Sequence, residues 1–560
     1  MLYIFSISFF IGNFLLYLIN IDLSYLYNLQ NVNYKILIGS FLLVYILIKL
    51  IKDKSVILFL TYKIIFFILL GMLFNFYNIS KYFSFKIPGN LVNNKVTISG
   101  TVVSFIDKKQ KYFYLKLDYI IYQSKKYKFD NQKKILIKDY NQKKVNLKLD
   151  KYHYGDQLIL EAKLKKIFNK KLYNYYFSNN IIAEASLIDI KFHVINTNYF
   201  SFNYIRNYFY QNLVKLTDRL ENKYLIYGLI LGDKSNISKE HKLLFQNTGV
   251  SHLLAISGMH LSAVYLLGIY FFKFIWNIFY EKLYYIFFCA KNKFEALGGV
   301  VFISFYGVLS GFSIPTIRAF IFLLLYSSTK FFSYKINKLS IIAIALIIIV
   351  FFEPFCYLDI GFWLSFSMIF MLFYILNNID QYNSSFTFRD NYRHKILNFF
   401  RLPFSLFIFS IPMTLLFFEK VPIVTSLVNL IVIPLINFAV LPLLISSLLF
   451  IYNISIAKFL LYLADLLLSN FIYILNIFDV KYFINLKLSW ESFFIATSCC
   501  LLLFMPRKLP GKLLASIAFS LILFKNFYYQ EKSPNNFIDD DKYIKMSSED
   551  SYNFVSKFYG

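Results

Sequence analysis

Two histidines and a serine in the stretch Thr248–Ser262, TGVSHLLAISGMHLS, are the residues of this chain best suited to chemistry. Ser257 and His260 stand three apart, one helical turn, which lets a hydroxyl and an imidazole meet as a nucleophile and its base. His252 and His260 stand eight apart. On one continuous helix that is about 12 Å along the axis, too far to share a metal ion. No G-x-S-x-G elbow supports the serine, and no neighbouring carboxylate is evident to orient the imidazole. A membrane-embedded hydrolase using Ser257 and His260 is therefore an alternative, and no enzyme is the main expectation. The six histidines (His153, His193, His241, His252, His260, His394) and the four cysteines (Cys289, Cys356, Cys499, Cys500) show no metal-ligand spacing. No metal and no cofactor are expected. The upstream segment Gly228–Ser235, GLILGDKS, imitates a phosphate loop, but it is one residue short and Asp233 interrupts the Gly-Lys step, which excludes a nucleotide site and an ATPase.

The polar stretch opens a long apolar run, and polar groups at membrane depth are functional candidates by default. Taken as a single helix over 250–262, Ser251, Ala255, Gly258 and Ser262 fall on one narrow stripe of small residues suited to close helix packing. His252, Ser257 and His260 then face the other way, toward a water-filled cavity. Gly307–Gly311 is a second small pair expected to pack helices.

The elements that must position these residues are mostly membrane helices. The chain has 560 residues, of which 58% are hydrophobic and 21% aromatic. Apolar runs long enough to span a bilayer are predicted near 2–19, 36–49, 56–75, 251–274, 297–312, 316–334, 339–354, 360–378, 402–418, 422–450, 455–478, 490–505 and 513–525, about 13 in all. The N-terminus lacks a basic n-region and an A-x-A site, so no cleavable signal is expected. Lys49, Lys52 and Lys54 place the first short loop inside and the chain after residue 76 outside. Four later clusters then also land in the cytoplasm: Lys282, Lys291 and Lys293; Lys330, Lys335 and Lys338; Arg389, Arg393, Lys395 and Arg401; and Arg507, Lys508 and Lys512. The segment 422–450 is too long for one plain helix and carries Asn429, Pro434, Asn437 and Pro442, which predicts a broken or partly re-entrant element; a proline-kinked helix is the simpler alternative.

Residues 86–200 differ. Short alternating runs (Val96–Val103, Tyr112–Leu117, Lys134–Ile137, Gln157–Leu164) with a turn at Gly155–Asp156 predict an all-β domain of five or more strands. In Tyr112–Leu117, period two puts Tyr112, Tyr114 and Lys116 on one face and Phe113, Leu115 and Leu117 on the core side. Residues 203–223 read as an amphipathic surface helix. Net charge is +28, which suits polyanions or anionic lipid headgroups. Only seven of the 59 basic residues are arginine, and Asn, Ile, Tyr and Phe abound. Biased codon usage produces the same pattern, so the location of the charge says more than its sum.

These motifs resemble the ComEC family of competence proteins, inner-membrane channels that admit single-stranded DNA in natural transformation. The resemblance lies in GVSHLLAISGMHLS from Gly249, LGDKS at Leu231–Ser235, GFSIPTIRAF at Gly311–Phe320, EPFCYLDIGFWLSFSMIF at Glu353–Phe370, with Trp363 where Gln is usual, and SLVNLIVIPLINFAVLP at Ser426–Pro442. It spans about 80–480 and keeps its order. It implies an OB-like β domain ahead of the channel block, with Tyr112, Tyr114, Lys116, Lys128, Tyr152 and Tyr154 as contacts for a single strand. It implies a DNA path through His252, Ser257, Gly258, His260, Arg318, Asn429 and Pro434. Arg318, in a short outer turn beside Pro315, would steer phosphates. The alternative is a transporter of another anion or polymer. Implied partners are single-stranded DNA, membrane lipid, a DNA receptor outside, an ATP-driven motor inside, a separate nuclease and a second copy of the chain. Many relatives carry a C-terminal metallo-β-lactamase-like domain with an H-x-H-x-D-H cluster, which is absent here, so a short form is expected. The expected organisation is membrane helices at 1–80, an OB-like domain at 81–200, an amphipathic helix and connector at 201–250, the channel block at 251–525 and a polar tail at 526–560, in a bacterial cytoplasmic membrane.

Overall fold

The computed structural model describes residues 2–18, 56–84, 87, 91–104, 112–129, 133–138, 152, 154–165, 176, 179–194, 201–287, 290–333, 336–383, 391–479, 483–486, 488–503 and 516–521. The expected span at 36–49 and the tail at 526–560 lie outside these residues, as does part of 513–525.

In chain order the elements begin with α1 (Leu2–Leu18) and α2 (Val56–Ser84). Six strands follow: β1 (Lys95–Val102), β2 (Tyr112–Tyr122), β3 (Lys125–Lys128), β4 (Lys134–Lys138), β5 (Gln157–Lys165) and β6 (Ile181–Val194). Next come α3 (Phe202–Leu216), α4 (Lys223–Leu231), α5 (Lys239–Asn247), a 3-10 turn (Ser251–Leu254), α6 (Gly258–Phe287), α7 (Lys291–Leu309), α8 (Ile314–Phe331) and α9 (Lys338–Phe352). After a second 3-10 turn (Cys356–Leu358) come α10 (Ile360–Asn383), α11 (Asn391–Phe418) and the short strand β7 (Lys420–Pro422). The last are α12 (Thr425–Leu449), α13 (Ile454–Ile477), β8 (Phe483–Asn485) and α14 (Trp490–Leu503).

The protein is mostly helical with a separate β region. Among the described residues three helical segments are long and apolar enough to cross a membrane: Gly258–Phe279 within α6, α12 and α13. Apolar helical stretches of 10–17 residues occur at Ile4–Phe14, Lys63–Ile79, Lys338–Phe352, Ile360–Leu376, Leu402–Phe418 and Trp490–Leu503. The sequence expectation of about 13 spans rests on apolar length and the placing of the basic loops; among the described residues three segments meet the stricter test of length and composition together.

The chain divides into two compact units. The first comprises Met1–Tyr208 with Tyr265–Asp359. Its β region is a closed barrel. β1 pairs antiparallel with β2 and with β5, β2 with β4, and β5 with β6, while β4 and β6 run parallel. β3 folds back on the far end of β2 as a hairpin. The predicted alternation is realised: Phe113, Leu115 and Leu117 are buried beside Ile98, Ile137 and Leu160, while Tyr112, Tyr114 and Lys116 stay half-buried on the outer face. Each buried Leu or Ile contributes roughly 1.5–3 kcal/mol relative to exposure. In the helical part α1 packs on α2 and on α9, and α8 packs on α7 and α9. A buried polar set ties α1 and α2 to the turn after α9. Asn13 Nδ2 donates to Pro354 O at 3.3 Å, Asn75 Nδ2 donates to the Tyr357 hydroxyl at 3.2 Å, and Asn75 also bonds Asn13 O.

The second unit comprises Phe209–Val264 with Ile360–Gly560. α12 packs on α13, and α11 packs on α10 and α14. Its segment over 425–449 corrects the broken-element expectation. α12 is one 25-residue helix with a π-helical turn at Leu435–Val440, not a re-entrant one. Pro434 and Pro442 lack the N–H that an α-helix needs at their positions. The helix absorbs this by widening: the Leu441 N–H reaches back five residues to Ile436 O.

Candidate functional site

The stretch that opened the sequence reading is not a single helix. Ser251–Leu254 forms a 3-10 turn, Ala255 is extended at φ −92° and ψ 136°, and α6 starts only at Gly258. The stripe of Ser251, Ala255, Gly258 and Ser262 therefore does not form, because the helical angles that defined it do not run through Ala255–Ser257. Gly249 sets the entry to the turn at φ +75°, a value that L side chains rarely adopt. A Cβ there would also overlap Thr425 Oγ1 at the head of α12. The packing residues of the stretch are instead its leucines. Leu253 and Leu254 line a small apolar cavity of about 20 Å³ with Leu225, Phe245, Ile436 and Leu468.

His260 is fully buried in the first turn of α6, and its Nδ1 accepts the Ser257 backbone N–H at 3.2 Å. This is the geometry of a capping box, in which the third helical side chain reaches back to the residue before the helix. The imidazole stands where Glu or Gln is usual. With Nδ1 accepting, the neutral ring carries its proton on Nε2. His260 Nε2 and Ser257 Oγ are buried and have no hydrogen-bond partner among the described residues. The serine–histidine dyad of the alternative reading is not formed, since Ser257 Oγ bonds neither ring nitrogen. His252 sits exposed on the 3-10 turn, as does Ser251. On α12, Asn429 Oδ1 and Asn437 Oδ1 are also buried without a partner, and Asn437 lies inside the π turn that follows Pro434.

In the first unit Arg318 projects from the second turn of α8. It is 2% exposed, and its Nη1 donates to Asp359 Oδ2 at 2.6 Å. Its Nε is buried without an acceptor among the described residues. Sequence reading placed Arg318 but missed Asp359, whose only signal was its place as the second acid of the EPFCYLD motif. The preceding turn gives Gly307 and Gly311 a different job from the expected packing of helices. Gly311, at φ +69°, ends α7; its N–H donates to Val308 O at 3.1 Å and that of Phe312 to Gly307 O at 3.0 Å. This is a Schellman ending, and the Phe312 ring lies where a Cβ of Gly307 would stand. Arg206 of α3 completes it. Its Nε donates to Leu309 O at 2.9 Å and its Nη2 to Ser310 O at 3.4 Å, a buried cation on the negative end of α7.

The barrel residues are less open than expected. Tyr112 and Tyr114 meet edge to face at 6.0 Å and pack against Leu136 and the buried Tyr176. The Tyr176 hydroxyl bonds Glu184, which takes Lys138 at 3.1 Å. The Tyr152 ring meets His193 at 4.9 Å, and His193 Nε2 lies 2.8 Å from the buried Asp156. Burial, then the charge of Asp189, raises the Tyr152 phenol. One face of Tyr154 is covered by the Arg206 guanidinium, 4.3 Å from the ring centre. Lys116 pairs in register with Lys134 across β2 and β4, and burial followed by Lys116 lowers the Lys134 ammonium. Lys128 is exposed on β3 beside Lys125 and Lys126.

Residues 229–509, half of the chain, match the family described as Competence protein. Recombination protein 2 of Haemophilus influenzae is 25% identical over 228 residues, which are 40% of this chain and 28% of that protein. ComE operon protein 3 of Bacillus subtilis is 25% identical over 148 residues, 26% of this chain and 17% of that protein. The aligned part is thus less than a third of either relative's length. No solved structure matches the chain. The family match begins in α4 and takes in the 3-10 turn, the capped head of α6, the Arg318–Asp359 pair and the π turn of α12, and on it this chain belongs to the ComEC/Rec2 family of competence proteins.

Proposed function

We propose that the chain passes single-stranded DNA across the bacterial cytoplasmic membrane during natural transformation. The observation that carries this is the set of buried polar atoms of the second unit that have no partner among the described residues: His260 Nε2, Ser257 Oγ, Asn429 Oδ1 and Asn437 Oδ1. Leaving such groups dry and unbonded costs several kcal/mol, roughly 2–7 each by transfer measures. Water removes that cost at all four atoms, and the oxygens of a passing phosphodiester do so at the two that can donate, His260 Nε2–H and the Ser257 hydroxyl. A strand carries one negative charge per nucleotide and needs a wet, hydrogen-bonding route. The His260 Nε2–H donates to phosphate oxygen, and the amides of Asn429 and Asn437 bond water, sugar or base.

The barrel supports the same reading. Its strand order, β1-β2-β4-β6-β5 and back to β1 with one parallel pair, is that of the OB fold, whose second and third strands bind oligonucleotides. Those strands are β2 and β4, with Tyr112, Tyr114, Lys116 and Lys134 on the outer face. The bound strand meets Lys116, Lys128 and the edges of Tyr112 and Tyr114. Tyr152 and Tyr154 serve the barrel's own packing more than stacking. A receptor outside, a motor inside and a separate nuclease complete the system.

The test is uptake of labelled DNA into the cytoplasm of cells carrying substitutions at His252, Ser257 or Arg318. Internalisation falls while surface binding continues. Undiminished internalisation in all three sinks the channel reading.

A further inference from the structure

The outer face of the barrel carries a covered block at one end of β2 and β4. Tyr112 stands in register with Lys138, and Tyr114 with Leu136. On the other side of β4, Glu184 of β6 is the register partner of Leu136. Ile135 and Ile137 fill the barrel core, so alternation turns Leu136 outward. It is nevertheless only 5% exposed. The cover is Tyr176, itself 3% exposed, which packs on Leu136 together with Tyr112 and Tyr114. The Tyr176 hydroxyl donates to Glu184 Oε1, and both oxygens of that carboxylate accept from Lys138 Nζ at 3.1 Å. Tyr176 belongs to the chain between β5 and β6, and the barrel core closes without it.

In the OB fold this is the face that takes oligonucleotides, with aromatic side chains for the bases and cations for the phosphates. Here a ring already lies on the two tyrosines, and a carboxylate already holds the lysine. We propose that Tyr176 and Glu184 are an internal stand-in for one nucleotide, ring for base and carboxylate for phosphate, which an incoming single strand displaces. The inference rests on the DNA reading of the barrel face and adds to it a means of control. Ring and ion pair are joined through one carboxylate, so displacing either loosens the other. A free nucleotide offers one ring and one phosphate, no more than the stand-in already supplies. A strand adds contacts outside the covered block, at Lys116 and at the exposed Lys128, and each bound nucleotide delivers the next at high effective concentration. The face therefore selects a strand over its monomers.

The experiment measures binding of a fluorescent oligothymidylate to the full-length chain in detergent, over a range of salt. Tyr176→Ala vacates the place on Tyr112 and Tyr114 and should tighten binding by about tenfold, the order of one stacked base. Tyr176→Phe keeps the ring, loses the hydroxyl bond and should gain less. Glu184→Gln releases Lys138 to phosphate. It should tighten binding severalfold and steepen the slope of log affinity against log salt by about 0.7, the value of one more phosphate contact on a single strand. Adding Tyr112→Ala and Tyr114→Ala to Tyr176→Ala should remove the gain. If Tyr176→Ala does not fold, Tyr176→Phe and Glu184→Gln still decide. A parent that binds, with variants that bind no more tightly, overturns the inference and leaves the DNA reading standing. If parent and variants alike bind no oligonucleotide at low salt, the DNA reading fails and takes the inference with it. Binding that appears only in the variants upholds both.

Discussion

The carboxylate of Asp465, in the middle of α13, accepts the backbone N–H of Asn222 at 2.9 Å and that of Glu221 at 3.3 Å. It thereby caps the first turn of α4, whose own N-cap residue Asn222 makes no side-chain cap and instead sends its amide to Ser469 Oγ at 2.9 Å. A carboxylate suits the positive end of a helix. Asp465→Ala should lower stability by about 1–2 kcal/mol, the usual value of a lost cap. Asp465→Asn keeps an acceptor and should lose less. Thermal unfolding of the detergent-solubilised protein measures both, and equal melting temperatures for the three proteins would count against the cap.

The head of α6 separates structure from transport in one substitution. His260→Glu restores the usual capping-box residue at that position. In a water-lined path the new carboxylate is solvated and the fold tolerates it, whereas in a dry interior an unpaired charge costs several kcal/mol. We expect near-parental stability with DNA entry cut by about tenfold or more, since a carboxylate repels phosphate where the imidazole N–H attracts it. A protein that unfolds, or one that admits DNA normally, contradicts a wet phosphate path.

Gly311 and Arg206 make a stability prediction for the α7–α8 turn. Gly311→Ala places a side chain at φ +69°, costing roughly 1–2 kcal/mol, and its Cβ also runs into the Arg206 guanidinium. The total should exceed the backbone strain alone. Arg206→Lys loses the fork that reaches Leu309 O and Ser310 O together, and about 1–2 kcal/mol is expected to go with it. Chemical denaturation of each variant tests the pair.

Acid should loosen the barrel at one place. Glu161 on β5 is paired with Lys191 of β6 and Lys95 of β1, and these two bonds hold its carboxyl below the ordinary value of 4.5. A depressed carboxylate contributes stability that is complete above its unfolded value and is lost as pH falls through the folded one. Hydrogen exchange along β1, β5 and β6 should therefore be insensitive to pH near neutrality and quicken, after correction for intrinsic rates, as pH falls below 4.5. Glu161→Gln should remove that extra sensitivity. If the exchange protection of parent and variant falls in parallel, the three-residue bridge contributes nothing.

What was legible in the sequence follows from the range of the forces involved. A barrel strand must bury one face, so the alternation in Tyr112–Leu117 could be read directly, and its burial agrees. The Asx turn at Asp233, where Oδ1 accepts the Ser235 N–H at 3.0 Å, is local chemistry too, and it explains why GLILGDKS only imitates a phosphate loop. The partners of Asp465, Arg206 and Arg318 stand 243, 103 and 41 residues away, and no local pattern announces them. Tyr176, which covers Tyr112 and Tyr114, was invisible for the same reason. The single helix assumed over 250–262 failed at Ala255–Ser257. There Gly258 disfavours helix, and Leu253 and Ile256 turn inward to be buried.

The π turn of α12 carries a mechanical consequence. It stores one residue more than the α-helical turns on either side. If that surplus residue migrates along the helix by one peptide, a side chain it passes swings by about 100° about the axis while both ends of α12 keep their places. Asn437 lies within the surplus turn, so such a step would turn its amide about the helix axis like a cam. Such a helix can change what it shows to its surroundings without being bent, unwound or displaced.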